Sequence, residues 1–427
     1  MHQDLLARHR SVLPSWLALY YDEPIALTRG EGRHVWDAEG NRYLDFFGGI
    51  LTTLTAHGLP EVVEAVQQQA ARILHTSTLY LIESQIELAE QIAALVPIDD
   101  AKVFFTTSGT EANELALLLA CTARRSNQIL AMRNSYHGRS FAAMAVTGNR
   151  GWSASSLSPV QTSYVQGAYR YRSPWRDMSD ADYVAAGVAD LIDVLDTTTA
   201  GDVACLIAEP VQGVGGFAHP PDGFYGALAE VLSERGILFI SDEVQTGWGR
   251  TGEHFWGFEA HGVTPAAITF AKGLGNGLGL AGVVASAELM DGVAANSIST
   301  FGGNPLATAA GLANLRYVLT HHLQKHAHEV GQQLHRDVAD ALDGVPLVAD
   351  IRGKGLMLGI ELADPHKTPD VGAAGRALEH CRAAGLLIGK GGLYGNVLRI
   401  APPLTVTADE IATAADVLTR AVRASVS

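Results

Sequence analysis

Cysteine, lysine and long apolar runs are all scarce in this chain of 427 residues. The three cysteines, Cys121, Cys205 and Cys381, are odd in number and far apart, so we expect free thiols in a reducing compartment rather than a disulfide framework. No apolar run approaches the roughly 20 residues that a membrane span needs, and the first residues lack the features of a signal peptide. These absences predict a cytoplasmic protein without a membrane partner.

Positive charge is scarce as well. Lys and Arg number 30 against 45 Asp and Glu, which gives a net charge of -15. Nucleic acid and anionic lipid repel a chain of this sign, so neither is an expected partner. The 16 histidines show none of the spacings of metal motifs such as His-Glu-x-x-His or Cys-x-x-Cys, and no metal site is predicted.

Short apolar runs alternate with helical stretches in the middle of the chain, and these runs are apolar on both faces. This pattern predicts an α/β fold with a largely parallel sheet buried between two layers of helices. In such a sheet, ligands bind at the carboxyl ends of the strands. The five predicted strands are Lys102–Thr106, Ile129–Met132, Val203–Ala208, Ile237–Ile240 and Ala266–Phe270.

The two ends of the chain have a different texture. The segment Gly32–Phe46 is typical of a hairpin, and short strands alternate with helices after about residue 310. We therefore expect a large domain at residues 56–310 and a small domain at residues 311–427, which the N-terminal segment 1–55 joins. The strands predicted for the small domain are Gly344–Val348, Leu356–Leu362 and Val397–Ile400.

Lys272 follows an apolar run and precedes the glycine-rich segment Gly273–Gly277. It is the one lysine of six that combines a strand end with such a turn. A buried strand end is an unfavourable place for an ammonium group, because an unpaired buried charge is costly. Two interpretations stay open: the lysine reaches the surface there, or it is an amine of lowered pKa that forms an imine with an aldehyde.

The segment Thr107–Glu114 follows a predicted strand and opens a predicted helix. Ser108 and Glu111 have the spacing of a capping box. Gly109 permits close approach of a ligand, and the free N–H groups of the helix start, with the hydroxyls of Ser108 and Thr110, suit an anion such as phosphate. Ordinary helix capping is the alternative explanation.

Polar side chains also follow two other predicted strands. An unpaired carboxylate at Asp242 would be unfavourable, but it would be paired opposite a protonated ring nitrogen of a cofactor. An exposed strand-end aspartate is the alternative, and its neighbour Glu243 is expected to be structural. Tyr136 and His137 follow the other strand, where an aromatic side chain suits stacking on a flat ring or simple loop packing.

Together, these segments resemble the class III aminotransferases, pyridoxal-phosphate enzymes of fold type I, over nearly the whole chain. The resemblance implies a large domain with a mostly parallel seven-stranded sheet flanked by helices, and a small α+β domain. Segments near Phe46–Ile50, His75–Thr78 and His254–Phe258 resemble the alanine–glyoxylate branch. The six motifs that carry the resemblance are Ser108–Asn113, Tyr136–Gly138, Glu209–Gly213, Asp242–Gly247, Lys272–Gly273 and Thr300–Pro305.

The resemblance implies pyridoxal 5'-phosphate as the cofactor and assigns residues to its ring. Lys272 would form the Schiff base and later shuttle the proton. Asp242 would pair with the ring nitrogen, and Gln245 would hydrogen-bond the ring hydroxyl. Val244 would pack below the ring and Tyr136 would stack above it.

The same resemblance implies a phosphate site and a homodimer. Ser108, Gly109 and Thr110 would hold the cofactor phosphate. Thr300 would add a contact from the neighbouring subunit, so the active enzyme would be a dimer. His137 is placed among the residues that bind the cofactor.

Substrate recognition is implied for two charged residues. Arg399 would clamp a substrate carboxylate through a bidentate pair. Glu209, also placed near the cofactor, would pair with Arg399 when no carboxylate is present. Many relatives carry Glu where this chain has Val214, and Gly-His-x-His-Pro where it has Ala56–Pro60, so the reading of the distal end of the substrate is left open.

The implied reaction is a two-step transamination with ping-pong kinetics. An amino acid or amine, such as alanine, glutamate or an ω- or β-amino acid, would donate the amino group. A keto acid such as pyruvate, glyoxylate or 2-oxoglutarate would accept it. Decarboxylases, aminomutases, racemases and phospholyases share the lysine and the aspartate, so these reactions are alternatives. A DNA-binding regulator built on this fold is disfavoured by the acidic chain.

Overall fold

The computed structural model describes residues 2–426, with side chains from Asp4 onward. None of the helices in this described part is long and apolar enough to cross a bilayer. The strands are β1 (Leu27–Glu31), β2 (His34–Asp37), β3 (Arg42–Asp45), β4 (Ala101–Thr106), β5 (Gln128–Met132), β6 (Gln161–Val165), β7 (Cys205–Ala208), β8 (Leu238–Asp242), β9 (Ala267–Phe270), β10 (Ala281–Ser286), β11 (Val348–Lys354), β12 (Met357–Leu362), β13 (Leu386–Leu387), β14 (Gly389–Gly391) and β15 (Val397–Ile400).

Helices cover both faces of the central strands and most of the C-terminal part. The helices are α1 (His2–Val12), α2 (Gly48–Leu51), α3 (Pro60–Arg72), α4 (Glu83–Ala94), α5 (Gly109–Arg124), α6 (Phe141–Ala145), α7 (Asp180–Thr198), α8 (Phe224–Glu234), α9 (Ala287–Met290), α10 (Pro305–Thr320), α11 (Leu323–Leu342), α12 (Val371–Ala383) and α13 (Ala408–Ala424). Short 3-10 turns lie at Arg150–Trp152, Arg170–Arg172, Gly257–His261 and Lys272–Gly275.

The central sheet has seven strands in the order β4-β10-β9-β8-β7-β5-β6. Strand β10 runs antiparallel to its two neighbours, β4 and β9, and the other neighbouring pairs in this sheet are parallel. The five strands predicted for the middle of the chain are confirmed to within a few residues. Strands β6 and β10 were not predicted. Strand β6 forms one edge of the sheet, and β10 lies between β4 and β9 near the other edge.

The sheet is buried on both faces because successive side chains point to opposite helix layers. On β7, Cys205 and Ile207 pack with Ala116 of α5, whereas Leu206 on the same strand packs with Leu228 of α8. The continuous apolar runs of the sequence therefore arise from strands that have no solvent face. The carboxyl ends of the parallel strands stay open for a ligand.

Two smaller sheets lie outside the central one. The first has the antiparallel order β11-β12-β15-β14, and the second joins β1, β2 and β3 to β13. Leu386 and Leu387 of β13 pair in parallel with Leu44 and Asp45 of β3, so the N-terminal hairpin is tied to the C-terminal part of the chain.

Three details of the structure bear on the sequence-based expectations. The strand predicted at Gly344–Val348 is wrong in its bounds, since β11 begins at Val348 and continues to Lys354. Gly344 has a φ of 67°, and this left-handed turn precedes the strand. The expected domain boundary at residue 310 falls inside α10, and the division at residues 55 and 310 stays a prediction. Cys121, Cys205 and Cys381 are free thiols, as predicted.

Candidate active site

A cavity of about 310 Å³ opens at the carboxyl ends of β4, β5, β7, β8 and β9. Each of these strands contributes a polar residue to the wall, because the parallel strands all end at the same edge of the sheet. Thr300 and Arg399 do not belong to this lining. The residues named from sequence that line the cavity are Ser108, Gly109, Thr110, Tyr136, His137, Glu209, Asp242, Val244, Gln245 and Lys272.

Lys272 lies in the cavity wall directly after β9. Its φ of 44° is in the left-handed region, which is strained for a residue other than glycine and is typical of functional sites. The buried Asn314 holds the following turn, because its Nδ2 lies 3.0 Å from the carbonyl oxygens of both Gly273 and Leu274. Burial lowers the pKa of the Lys272 amine to about 8, and the nearby Arg399 charge acts in the same direction.

The carboxylate of Asp242 ends β8 and is held on both oxygens. Its Oδ1 accepts a hydrogen bond from the Val244 N–H at 3.1 Å. Its Oδ2 accepts one from Asn113 Nδ2 at 2.8 Å and lies 2.7 Å from Nδ1 of His137. His137 therefore reaches the cavity as the partner of Asp242, and this contact was not foreseen from sequence.

The start of α5 forms another part of the cavity wall. Ser108 is the N-cap residue, and its hydroxyl accepts a hydrogen bond from the Glu111 N–H at 3.3 Å. The reciprocal half of the predicted capping box is wrong, because the Glu111 carboxylate binds the N–H and the hydroxyl of Thr107, each at 2.8 Å. A Cβ at Gly109 would lie 3.0 Å from the methyl groups of Val244. The free N–H groups of a 16-residue helix thus face the cavity.

Gln245 is packed closely at the edge of the cavity. A Cβ at Gly213 would fall 2.1 Å from its amide carbon, so glycine is needed at that position. Its Oε1 is buried and has no hydrogen-bond partner among the described residues. An acceptor of this kind is suited to a hydroxyl group of a bound ligand.

Glu209 follows β7 and is buried. Its carboxylate accepts hydrogen bonds from the N–H groups of Tyr136 and Gly213, both at 2.9 Å. Burial raises the pKa of Glu209 to about 7, and the Asp242 charge adds to this rise while His137 opposes it.

The predicted ion pair between Glu209 and Arg399 is wrong in this structure. Within the described residues these side chains form no such pair, because backbone N–H groups bind the Glu209 carboxylate and backbone carbonyl groups bind the two terminal nitrogens of Arg399. Arg399 lies on β15, and its Nη1 donates to the Gly213 carbonyl at 3.0 Å, while its Nη2 lies 3.4 Å from the Lys390 carbonyl. The two charges are thus joined indirectly, through opposite sides of Gly213.

Thr300 lies on the exposed segment between α9 and α10. Exposed apolar side chains surround it: Phe301 is 62% exposed and Ile298 is 59% exposed. The His75 ring lies 5.0 Å from the Phe301 ring, which links this segment to the exposed residues that precede α4. We call this set of exposed side chains the apolar patch: Ile73, Leu74, Leu79, Tyr80, Leu81, Ile298 and Phe301.

Several residues of the site had no role predicted from sequence. Asn113 bridges Asp242 and the His137 carbonyl oxygen, with 2.8 Å to each. The signal available in the sequence was the amide residue Asn113 next to the apolar positions of α5. Thr52 and Gly277–Leu280 also line the cavity. They lie in segments without a recognisable motif, so the sequence alone did not indicate that they are near the cavity.

The cavity fits pyridoxal phosphate. The group is a flat pyridine ring with one aldehyde, one hydroxyl, one ring nitrogen and a phosphate. The wall offers an amine of lowered pKa at Lys272, an unsatisfied acceptor at Gln245, a fixed carboxylate at Asp242 and the N-terminus of α5. These four partners match the four polar parts of the cofactor.

Comparisons with known proteins agree with this fit. The chain is 39% identical to alanine–glyoxylate aminotransferase 2 homolog 2 of Arabidopsis thaliana, over 99% of this chain and 87% of that protein. It is 32% identical to the alanine/serine racemase of Pyrococcus horikoshii, over 99% of this chain and 90% of that protein.

A solved structure gives the same result for the fold. The (S)-enantioselective omega-transaminase from Thermomicrobium roseum superposes with a TM-score of 0.91 at 32% identity, covering 100% of this chain and 99% of that one. The family model described as "Aminotransferase class-III" matches residues 19–422. Since this match takes in every wall of the cavity, the chain belongs to the class III aminotransferases, enzymes that depend on pyridoxal phosphate.

Proposed function

We propose that this aminotransferase moves an amino group from a carboxylate-bearing donor, with alanine as the first candidate, to a small keto acid such as glyoxylate or pyruvate. The observation that carries the proposal is the buried cation of Arg399 beside a cavity that holds the Lys272 amine. The name of the plant relative, an alanine–glyoxylate aminotransferase, supports alanine and glyoxylate. Glutamate, ω-amino acids and β-amino acids are the other donors, and 2-oxoglutarate is the other acceptor.

Lys272 and Asp242 are the proposed catalytic residues. Bound pyridoxal phosphate supplies an aldehyde for the amino group of the substrate and a ring that accepts electrons from the substrate carbon bearing that amino group. Lys272 Nζ removes the proton from that carbon and returns it later. Its pKa of about 8 leaves an appreciable neutral fraction near neutral pH, which suits a general base. The Asp242 carboxylate keeps the ring nitrogen protonated.

The other wall residues bind and orient the cofactor in this proposal. Ser108, Gly109 and Thr110 donate to the phosphate at the positive end of α5. Gln245 accepts from the ring hydroxyl, and Val244 packs against one face of the ring. The remaining contacts come from Tyr136 on the other face, His137 through Asp242, and Glu209 near the substrate.

A spectroscopic titration tests the donor. The purified holoenzyme is titrated in turn with L-alanine, L-glutamate and 4-aminobutyrate while the absorption band of the bound cofactor is followed. We expect alanine to convert the band to that of the aminated cofactor, and glyoxylate to restore it. Conversion by glutamate or 4-aminobutyrate alone would replace alanine as the donor. A band that no donor changes would contradict the proposed reaction.

A second reaction is distinguished by its stoichiometry. The alanine/serine racemase among the relatives shows that this family also contains racemases. A transaminase consumes one keto acid for each amino acid that it forms, whereas a racemase needs no keto acid. We expect alanine consumption to stop when the keto acid is exhausted, with no accumulation of D-alanine.

We also propose a homodimer in which Thr300 reaches the phosphate of the partner site. The apolar patch supports this assembly, because contiguous exposed apolar surface is typical of a protein interface. Leu79, Tyr80 and Leu81 are 71%, 69% and 93% exposed. A cytoplasmic location stays a prediction, and the name of the plant relative places that protein in mitochondria.

A heterodimer of two inactive variants tests whether Thr300 acts in the site of the other subunit. The variants Lys272→Ala and Thr300→Glu should each be inactive, the second because its carboxylate repels the phosphate. A purified heterodimer of the two contains one site with an intact Lys272 and an intact Thr300 from the other chain. We expect about half of the wild-type activity per dimer. The control heterodimer pairs Lys272→Ala with a chain carrying both substitutions and should be inactive. An inactive first heterodimer would place Thr300 in the site of its own subunit.

A further inference from the structure

Arg399 is held in a closed cage rather than in an open channel. It is only 4% exposed. Its guanidinium carbon lies 5.0 Å from the ring centre of Phe47 and 5.7 Å from that of Phe217. Carbonyl oxygens of Gly213 and Lys390 accept from its two terminal nitrogens. Rings on the faces and carbonyl groups at the edge leave the cation little freedom to turn.

The third side of the cage is the backbone of β14. A Cβ at Gly391 would lie 2.8 Å from Nε of Arg399, so only glycine lets the guanidinium pack so closely against the strand. Nε is buried and has no hydrogen-bond partner among the described residues. The Tyr20 side chain also hydrogen-bonds the guanidinium. An arginine has five N–H groups, so this contact and the two carbonyl contacts leave donors free for a carboxylate.

The two rings are themselves fixed. Phe217 has a φ of 54°, which is strained for a bulky side chain and must be maintained by its surroundings. It is fully buried. A Cβ at Gly389 would lie 2.2 Å from the Phe47 ring, and Tyr20 stacks on the same ring at 5.9 Å between ring centres. Both aromatic walls are therefore built into the fold.

We propose that Phe47 and Phe217 lock Arg399 in the substrate site, so that donor and acceptor must both carry a carboxylate and amines without one are excluded. This inference rests on the proposed function. Phe47 and Phe217 are positioning residues, and Arg399 is the group that touches the substrate. The substrates are thus restricted to amino acids and keto acids.

The physical reason is the charge that an uncharged substrate would leave behind. A carboxylate pairs with the guanidinium when it displaces water from the site. An amine with a methyl group in that position displaces the same water but leaves the cation buried and unpaired, which is strongly unfavourable. A mobile arginine would escape by turning into solvent, whereas the cage prevents this movement.

The experiment compares pairs of donors on the holoenzyme. L-Alanine is paired with isopropylamine, in which a methyl group replaces the carboxylate, and β-alanine is paired in the same way with propylamine. The first half-reaction is followed by cofactor absorbance, and kcat/KM is measured for each donor. We expect the amino acid to exceed its matched amine by about 10³-fold or more. A ratio below about tenfold would overturn the inference.

Variants then test the rings. Phe217→Leu and Phe47→Leu should each lower the ratio of amino acid to amine by about tenfold or more, because the released arginine binds carboxylates less well and tolerates amines better. The ratio is insensitive to general loss of fold, which lowers both rates equally. Met357 belongs to the same apolar cluster, and Met357→Leu, the matched control, should keep the wild-type ratio.

The possible results separate the two proposals. A large wild-type ratio that falls in at least one ring variant and not in the control supports the lock. A large ratio that neither ring variant changes overturns the role of the rings. If no amino acid and no amine reacts with the loaded enzyme, the proposed function fails first, and the lock falls with it.

Discussion

Replacing Lys272 with alanine is expected to lower kcat by about 10⁴-fold or more, because the proposed general base and attachment point is lost. The side chain lies in the cavity wall directly after β9, and no other lysine belongs to the cavity lining within the described residues. The measurement is single-turnover conversion of the amino donor, followed by cofactor absorbance. Full activity in this variant would remove Lys272 from the mechanism.

The Lys272 side chain, although required for activity in this proposal, should destabilise the folded apoprotein. The folded-state pKa of about 8 lies below the ordinary value of 10.5, so the unfolded chain binds this proton more tightly. Stability therefore rises as the pH increases from about 8 to 10.5, and below about pH 8 the buried ammonium group destabilises the fold by roughly 3 kcal/mol.

An apolar substitution would remove this penalty. Lys272→Met keeps the volume of the side chain but carries no charge. We expect its apoprotein to unfold at a higher urea concentration than wild type at pH 7, and the difference to vanish above about pH 10.5. A variant that is less stable than wild type at pH 7 would show that the amine is not destabilising.

Sequence was sufficient for the parts of the site that depend on strand ends. Strands β8 and β9 are mostly apolar and almost fully buried, and a polar residue at the end of such a strand must either reach solvent or find a partner. Parallel strands place those residues at one edge, so Asp242 and Lys272 line the same cavity. Local pattern and sheet topology together fix this arrangement.

Contacts between segments that are distant in sequence were beyond such patterns. The link from Asn113 to Asp242 joins a helix to a strand 129 residues away. The cage of Arg399 depends on Gly391 and on the left-handed backbone of Phe217. Both arise from packing between strands and loops, and a single sequence does not carry that information. The incorrect Glu209–Arg399 pair has the same origin, since backbone N–H groups of the fold occupy Glu209.

The substitution Asp242→Asn should lower kcat by about 10²- to 10³-fold. An amide cannot hold the ring nitrogen protonated. It is also a poor match for its surroundings, because Oδ1 accepts from the Val244 N–H and Oδ2 from Asn113. Either orientation of the amide sets one donor against another. The measurements are kcat with alanine and glyoxylate as substrates and the pH dependence of the cofactor absorbance.

The adjacent Glu243→Gln is the matched control, since Glu243 is also a buried carboxyl group but points away from the cofactor cavity. Its oxygens accept from the N–H groups of Gly257 and Phe258 and from the hydroxyls of Ser241 and Thr246. Its amide would meet a backbone donor, so we expect a loss of stability of about 1–3 kcal/mol and an unchanged kcat for the folded fraction. If Glu243→Gln altered the cofactor spectrum as strongly as Asp242→Asn, the assignment of the ring nitrogen to Asp242 would be wrong.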